Sequence, residues 1–259
     1  ISAVTLTGST PVGKLVASQA GAVLKKQVLE LGGSDAFIVL ADADIELAAK
    51  SAVKARFQNV GQSCISAKRF IVVDAVAEQF TQRFCHYTAE LKVGDPMQRD
   101  VTIGPLARAN LRDDLHDQVQ RSVAQGAKLL MGGKCVEGPG FFYEPTVLGD
   151  VTSDMAAGCE ETFGPAAAIM RVKDTEAAIA LANSLDYGLG AGLWTQNVEE
   201  GAKLARRIEA GAVFINGLVA SDPRYPFGGI KQSGYGRELG VHGAREFTNI
   251  KTVWIGPAQ

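Results

Sequence analysis

A chain of 259 residues with 46% hydrophobic and 21% charged side chains is long enough for one large domain or two small ones, and is ordinary in composition for a globular protein. Its net charge of −2 and the lack of a basic run argue against a nucleic-acid or polybasic membrane surface, and no apolar stretch approaches the ~20 residues of a membrane span. Four scattered cysteines (Cys64, Cys85, Cys135, Cys159) without a Cys-x-x-Cys pair, and three dispersed histidines, speak against a zinc site or a disulfide framework, so reduced thiols in a cytoplasmic setting are expected.

The chain opens without an initiator Met, in mid-pattern, and shows no charged n-region followed by an apolar h-region; a fragment of a longer protein is the expectation. Residues 2–7 alternate as a strand. Gly8-Ser9-Thr10 turns, and Pro11 is placed to begin a helix running to about Ala22. A strand, a Gly-Ser turn and a helix start make a ready anion site, because orphan N–H groups point out of the helix; a plain strand-to-helix turn reads the same way. Val28-Leu29-Glu30-Leu31 is an apolar run holding one carboxylate, which is costly unless paired or partly neutral, and Gly32-Gly33 breaks the chain after it.

Residues 36–40 read as a fully buried strand, and Asp42-Ala43-Asp44 caps a helix over about 45–57. Next comes Phe57-Gln58-Asn59-Val60-Gly61-Gln62-Ser63-Cys64, a cysteine behind a Gly and two amides, with Lys68 and Arg69 just after it. A strand beginning at Arg69 could carry both cations away from the thiol. Further elements follow: strand 69–73, helix 75–91 with Cys85 on its core side, a polar helix 108–125, strand 127–131, extended chain 141–148 and strand 166–172. A helix from Asp174-Thr175 to about Ser184, strand 189–195, helix 199–208 and strand 212–216 complete the series. Strands and helices alternate, and the strands are apolar and β-branched. That pattern predicts an α/β fold with a mostly parallel sheet covered by helices on both faces, and in such sheets ligands are expected beyond the carboxyl ends of the strands. A glycine-dense loop, 227–238, a short helix of about 238–246 and a strand, Ile250–Ile255, end the chain; a terminal strand with a bare edge invites pairing with another subunit.

Five stretches, in order and spaced alike, together resemble the aldehyde dehydrogenase superfamily. They are Leu6-Thr7-Gly8-Ser9, Glu30-Leu31-Gly32-Gly33, Asn59-Val60-Gly61-Gln62-Ser63-Cys64, Glu160-Glu161-Thr162-Phe163-Gly164-Pro165 and the run from Pro226 to Gly234. The likeness covers the chain end to end and looks closest to the bacterial succinate-semialdehyde dehydrogenases, on Glu30 to Asp35, Ala67 to Phe70 and Asn216 to Asp222. It implies three parts: residues 1–32 as the end of an NAD(P)-binding domain, 33–232 as the catalytic domain, and 233–259 as a helix and oligomerisation strand of a homodimer or homotetramer. It also implies an N-terminal half without counterpart here, carrying the first cofactor-domain strands, a Lys near the adenosine ribose and an Asn that donates to the oxyanion.

The roles follow from the resemblance. Cys64 is the nucleophile that attacks an aldehyde, and Glu30 is the general base that activates water against the resulting thioester; a glutamate there favours hydrolysis over transfer to coenzyme A. The Cys64 N–H is one oxyanion donor. Gly8, Ser9 and Leu31 lie on the cofactor side, Glu161 holds the nicotinamide ribose, and Phe163 packs beside the nicotinamide. The cofactor is NAD or NADP, with the choice left open. Phe227 lines the aldehyde entrance. Some relatives place an Arg six residues before the nucleophile to meet a carboxylated aldehyde; this chain has Gln58 there, and Arg224 is the alternative cation. No metal is expected. Two other readings stay open: a non-catalytic folded domain kept for self-association or binding, and a cofactor-independent thiol esterase using only Cys64 and Glu30.

Overall fold

The apolar runs assemble into one large sheet, one small sheet and a two-stranded antiparallel ribbon of Tyr187–Gly188 with Ile230–Lys231 in the computed structural model, which describes residues 1–257. In chain order the elements are β1 (Ala3–Thr7), α1 (Thr10–Ala22), β2 (Lys26–Glu30), β3 (Ala36–Val39), α2 (Ile45–Phe57), β4 (Arg69–Val73), α3 (Asp74–Ala89), α4 (Ala109–Ala124), β5 (Lys128–Met131) and β6 (Thr146–Gly149). There follow α5 (Ala156–Cys159), β7 (Ala166–Val172), α6 (Thr175–Ala182), β8 (Tyr187–Gly188), β9 (Gly190–Trp194), α7 (Val198–Ala205), β10 (Ala212–Ile215), β11 (Ile230–Lys231), β12 (Gly234–Tyr235) and α8 (Gly240–Glu246).

The large sheet has seven strands in the order β10-β9-β3-β4-β7-β6-β5, parallel throughout except for β5, which runs antiparallel to β6 at one edge. Its central strands are buried on both faces, which is why β3 and β4 are continuous apolar runs rather than alternating ones. Alternate side chains still divide between two cores. Phe37, Val39, Phe70 and Val72 pack with α2 and α3, including Phe80 and Phe84, while Ala36, Ile38, Ile71 and Val73 pack with α6 and α7. Cys85 is half-buried against the first of these cores, a structural position. A third cluster, around Leu115, Val119, Tyr143 and Met170, fills the space under α4.

The small sheet is β1-β2-β12. Its β1 and β2 are parallel, and β12 runs antiparallel to β2 with Gly234 opposite Glu30. The glycine-dense loop therefore returns to the first 32 residues, and Leu31 N–H donates to the Ser233 carbonyl at 3.0 Å. Helix α1 covers one face of this sheet, with Gly13 turned onto Leu31.

The expected terminal strand is not formed. Residues 250–255 are irregular, with Ile250 100%, Val253 74%, Trp254 85% and Ile255 86% exposed. An apolar run becomes a strand only when a neighbour takes up its main-chain groups, and among the described residues no neighbour is within reach.

Candidate active site

Cys64 sits on a turn between α2 and β4. The chain leaves α2 through Asn59, Val60 and Gly61, three successive residues in the left-handed region at φ +50°, +58° and +70°. Val60 is the unusual member, because a β-branched residue adopts this conformation only when its surroundings impose it. Gly61 admits no side chain: a Cβ there would stand 2.3 Å from both the Arg56 guanidinium and the Gly164 carbonyl. The turn then closes by Ser66 N–H donating to the Ser63 carbonyl at 3.2 Å, which puts Cys64 at its tip, half-buried.

Buried cations hold this turn from beneath. Arg56 is fully buried on α2 and donates to the carbonyls of Ala67 (3.0 Å), Gly61 (2.8 Å), Thr162 (3.3 Å) and Gly164 (2.6 Å). Lys68, also fully buried, donates to the carbonyls of Ser63 (2.9 Å) and Cys64 (2.8 Å), and its ammonium lies 3.8 Å from Glu161. Arg69 does turn away, donating to Ser34, Leu181 and Ala182 carbonyls. Sequence reasoning assigned no role to Arg56 or Lys68. A signal existed for Arg56: it falls on the same stripe of α2 as the buried Ala49, Ala52 and Val53, where an arginine must satisfy its charge inside.

Glu161 faces inward and Glu160 outward. The Glu161 carboxylate accepts from Gly33 N–H at 2.9 Å, whereas Glu160 is clasped by the Arg121 guanidinium at 2.7 and 2.9 Å. Gly33 is the joint of the site: besides its bond to Glu161, a Cβ on it would stand 2.9 Å from the Cys64 carbonyl oxygen. Phe163 lines a groove of about 320 Å³ with Leu111, Leu115 and Gln118 of α4 and with Glu161.

Glu30 is three residues upstream of that joint, the last residue of β2. Its main chain is fixed, since its carbonyl accepts from Gly8 N–H at 3.0 Å. Its carboxyl group is not. It is 2% exposed, and neither oxygen has a hydrogen-bond partner among the described residues. A Cβ on Gly228 would stand 2.7 Å from Glu30 Oε1, so the 226–229 loop is its wall. Phe227 in that loop is half-buried and exchanges main-chain hydrogen bonds with Glu238 at 2.8 and 2.7 Å. Burial raises the Glu30 carboxyl to about 8, with Glu238 adding to the rise and Arg237 opposing it. Burial likewise raises the Cys64 thiol. The Lys68 ammonium opposes that rise, Asp35 and Glu161 add to it, and the Ile65 N–H favours the thiolate.

Beyond the small sheet, Gly8 and Ser9 are exposed at the start of α1, and the Ser9 side chain makes no capping bond, so helix N–H groups and a hydroxyl stand free. That donor set suits a phosphate group. Leu31 is buried, its side chain packed on Gly13, and it shapes the floor of this end rather than offering a polar contact.

Two residues of the sequence reading are not brought to this centre. Arg224 lies on an exposed loop with its guanidinium already taken by Asp222 (2.9 and 2.6 Å) and lying over the Tyr225 ring. Gln58 caps α2 and lines a different groove, with Lys54, Tyr87, Leu91 and Ile103. The expected location also needs correction. Cys64 and Lys68 precede β4, Gly33 precedes β3 and Gly164 precedes β7, so the site lies at the amino ends of the large sheet. Only the small sheet presents carboxyl ends, with Glu30 ending β2 and Gly8 following β1. The cause is the linker 31–35, which passes straight from the carboxyl end of β2 to the amino end of β3 and leaves the cleft between the two.

Residues 1–253 match the aldehyde dehydrogenase family, and the chain belongs to it. Among its relatives, the chain is 54% identical over 254 residues to succinate semialdehyde dehydrogenase [NAD(P)+] Sad of Escherichia coli (strain K12), covering 98% of this chain and 55% of that protein. It is 55% identical over 255 residues to a probable succinate-semialdehyde dehydrogenase [NADP(+)] of Synechocystis sp., covering 98% and 56%. The crystal structure of an NAD-dependent aldehyde dehydrogenase from Sinorhizobium meliloti superposes with a TM-score of 0.97 at 36% identity, over 100% of this chain and 52% of that one. The chain thus spans about half the length of the curated relatives it matches.

Proposed function

We propose that this chain carries the nucleophile, the base and part of the cofactor site of an NAD(P)-dependent dehydrogenase that oxidises an aldehyde, succinate semialdehyde in particular, to the acid. The observation that carries this reading is Glu30: a carboxyl buried without a partner, raised to about 8, beside the joint that abuts Cys64. Such a group can take and return a proton near neutral pH, which a salt-bridged surface glutamate cannot. The substrate assignment rests on the two relatives named above.

Cys64 loses its proton to solvent, and its sulfur bonds to the aldehyde carbon as the carbonyl pair moves onto oxygen, forming a thiohemiacetal anion. The Cys64 N–H, which makes no hydrogen bond among the described residues, donates to the developing oxyanion. A bound NAD or NADP would supply the hydride acceptor as the oxyanion re-forms its carbonyl, leaving a thioester on Cys64. Glu30 then takes a proton from water as the water oxygen bonds to the thioester carbon, and the Cys64 thiolate leaves and regains a proton. Gly8 and Ser9 would hold the cofactor's phosphates and Glu161 its nicotinamide ribose, with Phe163 against the ring and Leu31 beneath. Phe227 would wall the aldehyde's path. Because Asp222 already neutralises Arg224, and Gln58 faces another groove, recognition of the substrate's carboxylate would fall to groups other than these two.

Hydrolysis of p-nitrophenyl acetate by the 259-residue chain tests the two-residue core without a cofactor. Cys64→Ala is expected to abolish it, and Glu30→Gln to let acetylated Cys64 accumulate in the mass spectrum. Ester hydrolysis that survives Cys64→Ala would sink the reading. Reduced-cofactor absorbance with succinate semialdehyde is expected to be weak or absent from this chain, and to appear, dependent on Cys64, in a polypeptide of the relatives' full length. Ester hydrolysis without any such signal at full length would leave the thiol esterase standing instead.

A further inference from the structure

The Lys68 ammonium reaches both the nucleophile's turn and the inward glutamate. It enters β4 with its backbone pinned on both sides: its N–H donates to the Asp35 carbonyl of the adjoining linker at 3.1 Å, and its carbonyl accepts from Ala168 N–H of β7 at 3.1 Å. Its side chain doubles back, fully buried, to the Ser63 and Cys64 carbonyls at 2.9 and 2.8 Å. An ammonium has three donors, and the carbonyls take two. The one carboxylate within 4 Å of it, among the described residues, is Glu161 at 3.8 Å.

A lysine with no exposed atoms, spent mainly on neutral carbonyls, is a costly way to hold a turn; a neutral donor would serve at less desolvation cost. What an ammonium adds is charge placed beneath a thiol. We propose that Lys68 is a positioning residue for the nucleophile: it fixes the turn that aims Cys64 and supplies the positive charge that favours its thiolate, in a balance that Glu161 weakens. The proposal rests on Cys64 being the nucleophile. The charged groups facing this pair are Arg56 from α2, Asp35 from the β2–β3 linker and Glu161 from the loop before β7. Asp35 and Glu161 work against the thiolate, Lys68 for it, and Arg56 drives charge off Lys68. Burial, followed by Arg56, lowers the Lys68 ammonium from its ordinary range, so the charge that serves Cys64 is itself titratable.

The test is the rate of Cys64 alkylation by iodoacetamide across pH in the intact 259-residue chain. Peptide mass mapping separates Cys64 from Cys85, Cys135 and Cys159, whose profiles act as internal controls. Lys68→Met is expected to move the Cys64 midpoint up by about one pH unit, a roughly tenfold slower rate below the midpoint, with the other cysteines unchanged. Glu161→Gln is expected to move it the opposite way. A lysine that merely braced the turn would alter the rate at every pH and leave the midpoint in place. If Lys68→Met loses the native circular dichroism spectrum, Lys68→Gln, which keeps the donors and removes the charge, decides instead. An unchanged midpoint in a folded Lys68 variant overturns the proposal. Cys64 failing to alkylate at any pH in the parent chain overturns the nucleophile reading, and the proposal with it.

Discussion

The two larger sheets contribute to the site in opposite ways. The seven-stranded sheet offers the amino ends of its strands, and the buried charged groups around the Cys64 turn are engaged there: Arg56 and Lys68 bond the carbonyls of that turn, and Glu161 is held by Gly33. The three-stranded sheet offers carboxyl ends, and its one buried charge carrier, Glu30, has nothing holding its carboxyl group. The difference matches the work proposed for each residue. A nucleophile gains from a fixed trajectory towards its target. A base must pick up a proton and release it, so a permanent partner would pin its ionisation and remove its use.

The largest test of this contrast is to release the braced side. Arg56→Met removes four hydrogen bonds to carbonyls and leaves those oxygens buried. Relief of the buried charge returns part of the cost, and a net loss of about 3 kcal/mol is expected in urea unfolding. A variant as stable as the parent would mean that the guanidinium is incidental to the turn.

The next test bears on the free side. A carboxyl raised to about 8 in the fold, against an ordinary value of 4.5, keeps its proton in the folded chain while losing it in the unfolded one. Its contribution is therefore fully present below about 4.5 and is lost as pH rises through about 8. Glu30→Gln should remove that decline. The variant should exceed the parent by a few kcal/mol at pH 9, by urea unfolding, and by progressively less as pH falls. Equal pH slopes in the two proteins would show that the carboxyl is solvated or paired after all.

These two residues differ in how far the sequence exposes them. Glu30 stands out because a carboxylate in Val28-Leu29-Glu30-Leu31 contradicts its apolar neighbours, and Cys64 because of the run before it. Strands β4 and β7 are legible to the residue, since a parallel strand covered on both faces is an unbroken apolar run. The bracing of the site is not legible. Arg56 finds its partners as far away as Gly164, and no local pattern encodes a bond between loops that far apart in sequence. Nor does local pattern say which end of a sheet bears the cleft; the short 31–35 linker decides that by geometry. Residues 250–255 have strand-like composition, but pairing is not a property of one segment.

A smaller effect should follow from the contact that seats α1 on the small sheet. A Cβ on Gly13 would lie 2.4 Å from a methyl carbon of the buried Leu31. Ala in place of Gly within a helix gains roughly 1 kcal/mol from propensity, while overpacking costs roughly 1–3 kcal/mol. Gly13→Ala should therefore cost about 1 kcal/mol net in urea unfolding. Because the clash falls beside Glu30, it should also slow p-nitrophenyl acetate hydrolysis more than it slows alkylation of Cys64. Equal slowing of both would mean that the two sides of the cleft move as one body.

The smallest effect is expected at Arg224, and its smallness is informative. The guanidinium and Asp222 form an exposed ion pair two residues apart on one loop, a geometry that the loop itself supplies and that salt screens. Removing such a pair leaves stability essentially unchanged. Arg224→Ala should leave both the urea midpoint and the Cys64 alkylation profile where they are. If the cation nevertheless recognised the carboxylate of the substrate, Asp222 would compete with it for that charge, and Asp222→Ala would then tighten binding of a carboxylated aldehyde while Arg224→Ala weakened it. The arrangement observed predicts neither change, in either the apparent KM at full length or the protection of Cys64 from alkylation by succinate semialdehyde. A matched pair of opposite shifts would return Arg224 to the site and require the 221–225 loop to close over it.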